Sequence, residues 1–348
     1  MPRKHKSSGP ILLALVAFLG LAALVISSCS REHGSPLNSP TSSADARAGN
    51  SVLSPRNPAD VALAMRIQNA HTSDLLKHGD VVGTGTGIGS NGYLAVLVLT
   101  RRAGVTGIPE TLDGIPTEVR VVGDVKAYRK PGGGGTLQCG TSTGNDLECA
   151  AGTIGCVVLR SGTKYFLSNN HVYARENAAS VGEREDAPGR YDGKPRCAQT
   201  QICGTLSDYQ PINFGGGGNT IDCAIALPDP GRVFSVAEAG GYTPTSNVAA
   251  AAVGMAVKKT GRTSGLTHGT VQAINVTIQV QYTGGIATFN GQIMTPANFI
   301  SAGDSGSLMV TETGNDPVGL CFAGGGGGSF ANPIGPVLQR FNATVATQ

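Results

Sequence analysis

The most informative segment of the chain is a glycine-flanked Asp-Ser pair in a short polar turn, Ser301-Ala302-Gly303-Asp304-Ser305-Gly306-Ser307-Leu308-Met309. Glycine at 303 and 306 lets backbone N–H groups approach a reacting centre that a Cβ would block. The Ser305 hydroxyl then lies beside its own amide and that of Gly303, and both amides can stabilise an oxyanion. Because serine alone is a weak nucleophile, it needs a base and an orienting acid. A plain hairpin turn is the alternative interpretation.

His171 is the candidate base. Residues 163–168 predict a strand that stops at Asn169-Asn170-His171, which holds the imidazole at a turn from which it can reach across a cleft. Of the six histidines, only His171 and His268 lie beyond the glycine run at 132–135. A structural or surface histidine is the alternative.

Asp222 is the candidate acid, at the head of an apolar strand in Asn219-Thr220-Ile221-Asp222-Cys223-Ala224-Ile225-Ala226. Burying an unpaired carboxylate is costly, so Asp222 should have a partner. A neutral His171 that donates one ring N–H to Asp222 and accepts on the other nitrogen satisfies both groups. The alternative is an aspartate exposed at the end of a strand.

From about Ala151 to its C-terminus the chain resembles the chymotrypsin-like (trypsin-fold) serine peptidases, closest to the secreted bacterial streptogrisin-like and α-lytic-like members. The matching motifs are Leu167-Ser168-Asn169-Asn170-His171-Val172, Ile221-Asp222-Cys223-Ala224, Val257-Lys258-Lys259-Thr260-Gly261-Arg262-Thr263-Ser264-Gly265 with Gly269-Thr270-Val271, Gly303-Asp304-Ser305-Gly306, and Pro317-Val318-Gly319-Leu320. The resemblance implies an all-β fold of two six-stranded antiparallel barrels. One barrel supplies base and acid, and the other supplies the nucleophile and oxyanion hole. The abundant glycine (51 residues) and the low charged fraction (14%) agree with an all-β protein.

By this resemblance the chain is an exported serine endopeptidase that hydrolyses peptide bonds through an acyl-enzyme. His171, Asp222 and Ser305 would form the catalytic triad, and the amides of Gly303 and Ser305 the oxyanion hole. The alternative is a catalytically inactive peptide-binding module of the same fold.

The resemblance also implies how a polypeptide substrate binds. Phe322-Ala323-Gly324 would offer backbone hydrogen bonds to an extended peptide, which adds a strand to a sheet edge. Phe299, just before the nucleophile turn, is assigned to substrate binding. Lys259 and Arg262 are both candidates for the cation that neutralises Asp304. No cofactor is implied.

The N-terminus predicts an export signal. Basic residues precede an apolar run from Ile11 to Ile26, and Ser27-Ser28-Cys29 follow. Residues 26–29 resemble the bacterial lipobox, so Cys29 is predicted to carry a lipid, with an ordinary signal peptide or an anchor helix as alternatives. Removing the three basic residues takes the net charge from +3 to 0, which gives no support for nucleic-acid binding. We expect a monomer, lipid-anchored to a membrane of the bacterial cell envelope outside the cytoplasm.

Composition divides the chain into four segments. They are a lipoprotein-type signal peptide (1–28), a disordered tether rich in Ser, Pro, Asn and Gly (29–56), a small α+β domain (57–130) and the peptidase domain (131–348). The position of the α+β domain resembles that of the pro-regions of secreted bacterial proteases, so we hypothesise that it is a folding aid or an inhibitor.

Local signals predict the elements of the α+β domain. A helix starts after Asn57 and stops by Gly79, and strands cover Val81–Ile88, Tyr93–Thr100 and Glu118–Tyr128. Near the C-terminus, Val337–Phe341 predicts a short helix.

Export implies an oxidising compartment, where cysteines form disulfides. We predict that Cys197 pairs with Cys203 and Cys139 with Cys149, and that at least one further cysteine stays free. No metal site is predicted, because no CxxC pair occurs and no histidine lies at ligand spacing from a cysteine.

Overall fold

The computed structural model describes residues 52–127 and 137–348. The predicted signal peptide, the lipidation site Cys29, the tether up to residue 51 and the glycine-rich boundary at 131–135 lie outside the described residues. So does Tyr128, the last residue of the predicted third strand. Within the described ranges, no helix has both the length and the apolar character needed to cross a membrane.

The N-terminal part is one helix packed on a group of strands: α1 (Pro58–Leu75), β1 (Val81–Ile88), β2 (Leu94–Thr100), β3 (Thr111–Leu112), β4 (Ile115–Val121) and β5 (Lys126–Ala127). Asn57 caps α1, because its side-chain oxygen accepts a hydrogen bond from the backbone N–H of Ala59 at 3.0 Å. The helix ends before Gly79, and the predicted bounds of β1 are confirmed. In place of the long third strand, β4 ends at Val121 and β5 is a separate short strand.

The middle of the chain forms the first barrel: β6 (Leu137–Cys139), β7 (Ser142–Asn145), β8 (Gly152–Thr153), β9 (Cys156–Arg160), β10 (Thr163–Ser168), α2 (Asn170–Tyr173), β11 (Arg184–Asp186), β12 (Ile202–Tyr209), β13 (Ala224–Pro228) and β14 (Phe234–Glu238). Hydrogen-bonded neighbours follow the order β9, β10, β13, β12, β11, β7 and β8. β14 pairs separately with β6.

The C-terminal part forms the second barrel: β15 (Ala256–Gly261), β16 (Gly265–Thr270), β17 (Ala273–Tyr282), β18 (Gly285–Thr295), β19 (Leu308–Thr311), β20 (Pro317–Gly325), β21 (Gly328–Pro333), α3 (Ile334–Phe341) and β22 (Ala343–Val345). Its strands follow the order β16, β15, β19, β20, β21, β18 and β17, and β22 returns to pair with β9 of the first barrel. The predicted all-β, chymotrypsin-like architecture of two barrels is confirmed. The C-terminal helix begins three residues earlier than predicted.

The N-terminal strands continue the sheet of the second barrel. β1 pairs antiparallel with β17, β2 pairs with β1, and β4 pairs with β2. At the junction a Cβ on Gly83 would lie 2.3 Å from the carbonyl oxygen of Thr277, so this close approach requires glycine. The buried Gln68 of α1 also crosses the junction, since its Nε2 donates to the carbonyl of Asn275 at 3.0 Å. Backbone pairing therefore joins the N-terminal strands to the second barrel, and a side-chain hydrogen bond joins the helix to it.

The disulfide differs from both predicted pairings. Cys149 bonds to Cys197, with 5.0 Å between their Cα atoms, whereas Cys139 and Cys203 are free and buried. Cys203 is close to Cys197 in sequence, but it belongs to β12 and its side chain lies in the core of the first barrel. Successive side chains of a strand point to opposite faces, so the strand decides whether a cysteine faces a partner. The spacing of the cysteines in the sequence does not show which face that is.

Candidate active site

His171 and Asp222 form a buried pair. His171 Nδ1 lies 2.5 Å from Asp222 Oδ2, and the backbone N–H of His171 donates to Oδ1 at 3.2 Å. Neither side chain is exposed. Because a carboxylate can only accept hydrogen bonds, this contact puts the proton of a neutral imidazole on Nδ1 and leaves Nε2 as an acceptor.

Two asparagines hold the turn that carries His171. This turn joins β10 to the single-turn helix α2. The side-chain amide of Asn169 donates to the backbone carbonyl of Asp222 at 2.7 Å, and that of Asn170 donates to the carbonyl of Gln210 at 2.6 Å. The imidazole is therefore positioned by buried hydrogen bonds to the segment that leads into β13.

Asp222 is also held from the second barrel. Asn332 of β21 accepts the backbone N–H of Asp222 at 3.0 Å and donates to Gln292 of β18 at 2.6 Å. The hydroxyl of Tyr282 donates to Asp222 Oδ2 at 2.9 Å. The carboxylate thus accepts hydrogen bonds from both His171 and Tyr282, so it is held from both barrels.

Ser305 lies on the turn between β18 and β19. The backbone N–H of Thr153 donates to the carbonyl of Ser305 at 2.8 Å. A Cβ on the neighbouring Gly152 would lie 2.9 Å from that carbonyl oxygen and 2.5 Å from a methyl group of Val172, the residue after His171. The turn that carries Ser305 and the turn that carries the imidazole therefore both pack against Gly152.

The Ser305 hydroxyl donates to the carbonyl of Phe322 at 3.1 Å. Within the described part of the chain, His171 Nε2 has no hydrogen-bond partner, and the side chains of Ser305 and His171 are fully buried. The hydroxyl therefore bonds to Phe322, and no hydrogen bond joins Ser305 to His171 within these residues. Catalytic hydrogen bonds are often unformed in the absence of substrate.

The turn that carries Ser305 depends on its two glycines. Gly303 and Gly306 have φ angles of 102° and 95°, and a Cβ on Gly306 would lie 2.3 Å from the hydroxyl oxygen of Ser168. Thr153 donates its side-chain hydroxyl to the carbonyl of Gly303 at 2.9 Å, which fixes that peptide. Among the described residues, no hydrogen bond uses the backbone N–H of Gly303 or Ser305. Both amides therefore have no hydrogen-bond partner within those residues.

Lys259 neutralises Asp304, whereas Arg262 pairs with Asp192 of the first barrel. Lys259 Nζ lies 3.1 Å from Asp304 Oδ2, and both side chains are fully buried. Burial raises the pKa of the Asp304 carboxyl, but the Lys259 ammonium and donated hydrogen bonds outweigh it, so the pKa lies below its ordinary value. The Arg262 guanidinium is 2.6 Å from Asp192. The sequence alone did not decide which of the two residues pairs with Asp304.

The edge predicted to bind substrate is paired with the N-terminal part of the chain. β5 pairs antiparallel with β20, with Ala127 opposite Ala323 and Lys126 opposite Gly324. β5 also pairs with β17, so it lies between two strands of the second barrel. An extended segment of the protein itself therefore occupies the backbone edge at Ala323 and Gly324.

Phe299 does not lie at this edge. Its ring is buried in the core of the second barrel, where a Cβ on Gly269 would be 2.7 Å from a ring carbon. Its assignment to substrate binding stays a prediction, and within the described residues its ring contacts only the apolar core. Phe322 likewise points its ring into the core, 4.9 Å from the ring of Phe289, and offers only its backbone.

Sequence reasoning missed Thr153, Tyr282 and the pairing of β5 with β20. Thr153 and Tyr282 come from strands outside the triad motifs, and single polar residues at strand ends carry no distinct signal. The predicted third strand, Glu118–Tyr128, covers β5, but nothing in its sequence indicates that it pairs with Ala323 and Gly324.

No family model matches the sequence, and no curated protein matches it. Solved structures that are similar to this chain include three proteases. The first is a glutamic acid-specific serine protease described as using a histidine triad in substrate binding, with 23% sequence identity and a TM-score of 0.43 over 60% of this chain and 100% of that chain. The second is Cellulomonas bogoriensis chymotrypsin, with 22% identity and a TM-score of 0.42 over 61% of this chain and 99% of that chain, and the third is Thermobifida fusca protease A, with 23% identity and a TM-score of 0.43 over the same shares.

In the described ranges, no group of three or more His, Cys, Asp or Glu side chains is placed to hold a metal ion.

Proposed function

We propose that the protein is a serine endopeptidase that cleaves polypeptides through an acyl-enzyme. The observation that carries the proposal is the buried pair of His171 and Asp222, whose Nδ1 and Oδ2 atoms are 2.5 Å apart. Its turn and the turn of Ser305 both pack against Gly152, and the amides of Gly303 and Ser305 make no hydrogen bond among the described residues. Burying a carboxylate and an imidazole in this arrangement costs desolvation energy, which a purely structural role does not require.

The mechanism follows from the tautomer of His171. Ser305 attacks the scissile carbonyl while His171 Nε2 takes the hydroxyl proton, and Asp222 stabilises the resulting imidazolium. The amides of Gly303 and Ser305 donate to the oxyanion. His171 then returns the proton to the leaving amine, and water hydrolyses the ester in a second cycle of the same steps.

An aryl or alkyl fluorophosphonate tests this proposal. Only an activated serine reacts with it, so the protein should gain the mass of one phosphonyl group, located on Ser305 by peptide mapping. An inactive peptide-binding module of the same fold would bind peptides and stay unlabelled, and that outcome would refute the enzyme assignment.

For the N-terminal unit, residues 57–130, we propose an inhibitory role through β5. Its support is the pairing of Lys126 and Ala127 with the backbone edge at Gly324 and Ala323, where an extended substrate would bind. As long as β5 is in place, substrate and β5 compete for the same backbone groups.

Ala127→Pro should weaken this inhibition. Proline cannot donate a backbone hydrogen bond and is poorly tolerated between two strands, so β5 should leave the edge. The rate of peptide hydrolysis per labelled serine should rise about tenfold, the value of one lost backbone hydrogen bond. Ala103→Pro, in an exposed loop of the same unit, is the control and should change nothing. An unchanged rate in Ala127→Pro would exclude inhibition by β5.

We further propose that the protein is exported and held at the bacterial cell envelope by a lipid on Cys29. The support is the basic and apolar N-terminus with Ile26-Ser27-Ser28-Cys29, together with the Cys149–Cys197 disulfide, which suits an oxidising compartment. Intact-mass analysis of protein from membranes should find a chain that begins at residue 29 and carries acyl groups. A mature chain without acyl groups would contradict the anchor.

A further inference from the structure

Tyr282 is the last residue of β17 and makes contact with both members of the buried pair. Its hydroxyl donates to Asp222 Oδ2 at 2.9 Å, the same oxygen that faces His171 Nδ1. The rings of Tyr282 and His171 meet edge to face with centroids 5.8 Å apart. One side chain therefore fixes the carboxylate and packs on the imidazole.

The hairpin that carries Tyr282 is fastened across the two barrels. The backbone N–H groups of Thr283 and Gly284, at its tip, donate to the two carboxylate oxygens of Glu176 at 3.2 and 2.8 Å. Glu176 belongs to the first barrel and follows α2, the helix that contains His171. Its backbone has a φ of 58°, which aims the carboxylate at the hairpin tip from a conformation uncommon for glutamate.

Packing also limits the movement of the Tyr282 ring. Phe214 contacts it edge to face at 5.8 Å between centroids, on a loop that follows β12, and Phe289 of β18 lies 6.1 Å away. Tyr282 is 4% exposed, so its hydroxyl has little access to water and is committed to Asp222. A buried phenol with such packing donates in one direction only.

From this geometry we propose that Tyr282 is a positioning residue for the triad and that Glu176 acts through it by holding the hairpin tip. Asp222 orients His171 only while its own carboxylate is prevented from rotating. The backbone N–H and the Nδ1–H of His171 also donate to Asp222, but they cannot prevent this rotation independently, because both move with the turn that carries the imidazole. Tyr282 supplies the third donor from the other barrel. This inference rests on the proposed peptidase function.

The test is Tyr282→Phe in the full chain, assayed with a peptide substrate beside the unmodified protein. The ring and its packing stay, and only the hydrogen bond is lost. The kcat should fall about tenfold, the low end of what a hydrogen bond to a charged group contributes, with KM unchanged. The downfield proton resonance of His171 Nδ1–H should move or broaden.

Tyr209→Phe is the matched control. It removes a phenol hydroxyl that lies outside the site and donates to the carbonyl of Ala179 at 3.4 Å.

Glu176→Gln tests the second half of the proposal. It should lower kcat in the same way but less, and it should have no further effect in the Tyr282→Phe background because it acts through Tyr282. Additive losses would overturn the role of Glu176. Unchanged kcat and resonance in Tyr282→Phe, or an equal loss in Tyr209→Phe, would overturn the role of Tyr282. Absence of fluorophosphonate labelling in the unmodified protein would instead refute the peptidase function.

Discussion

Ser305→Ala is expected to lower kcat/KM for peptide hydrolysis by on the order of 10⁴-fold or more, as loss of the nucleophile does in other triads. The alanine methyl group fits the space of the hydroxymethyl, so the fold and the His171–Asp222 pair should stay intact. The variant should also lose fluorophosphonate labelling completely. Peptide hydrolysis at matched folded concentration, with thermal unfolding as the check on the fold, measures the effect.

Ser307→Ala is the matched control for this result. Ser307 is also fully buried and lies two residues further along the same segment, but its side chain is not placed in the proposed mechanism. The control should keep most of the activity and the full labelling. Substantial hydrolysis left in Ser305→Ala would mean that another group attacks the peptide. Equal losses in both variants would mean that the turn, not the Ser305 hydroxyl, is what the substitution damages.

Lys259→Met is expected to destabilise the protein by about 3–5 kcal/mol, because it leaves the buried Asp304 carboxylate without its cation. The methionine has a similar length and no charge. Urea unfolding monitored by circular dichroism gives the free energy of unfolding. A loss below about 1 kcal/mol would show that the hydrogen bonds to Asp304 suffice without the cation.

The double variant Lys259→Met/Asp304→Asn separates charge from packing. It should recover a large part of the loss, because breaking a buried ion pair costs more than replacing both partners by neutral groups. The pH dependence gives a second check. The pKa of Asp304 is lowered in the folded protein, so its stabilising contribution is present above the ordinary aspartate pKa and lost as the pH falls through the folded value. The stability of the unmodified protein should therefore fall more steeply in acid than that of the double variant.

The proposed inhibition by β5 and the hydrogen bond of Tyr282 both involve β17. β17 pairs with β1 along its first residues, pairs with β5 at Gln281 and ends at Tyr282. The N-terminal unit thus contacts the same strand that delivers a hydrogen bond to Asp222. Comparing Tyr282→Phe with Ala127→Pro separates the two effects, since the first should change kcat and the second the access of substrate.

Local sequence alone determined a large part of the fold, and it named the residues of the candidate site. Asn57 with Pro58 marks the start of α1, and the segment from Val81 to Ile88 predicts β1 with the bounds that the structure has. The glycines at 303 and 306 stand where the backbone has positive φ angles. These signals depend on a few neighbouring residues, so they can be read without a model of the whole chain.

Only the tertiary structure decided which distant groups meet. It joins Cys149 to Cys197 across 48 residues, chooses Lys259 over Arg262 for Asp304, and turns the Phe299 ring into the core. It also lays β5 on β20 and brings the Tyr282 hydroxyl to Asp222. Such contacts are set by the register of strands and the inward or outward face of each side chain. A shift of one residue in a strand reverses that face, and the sequence near the residue does not encode the partner strand.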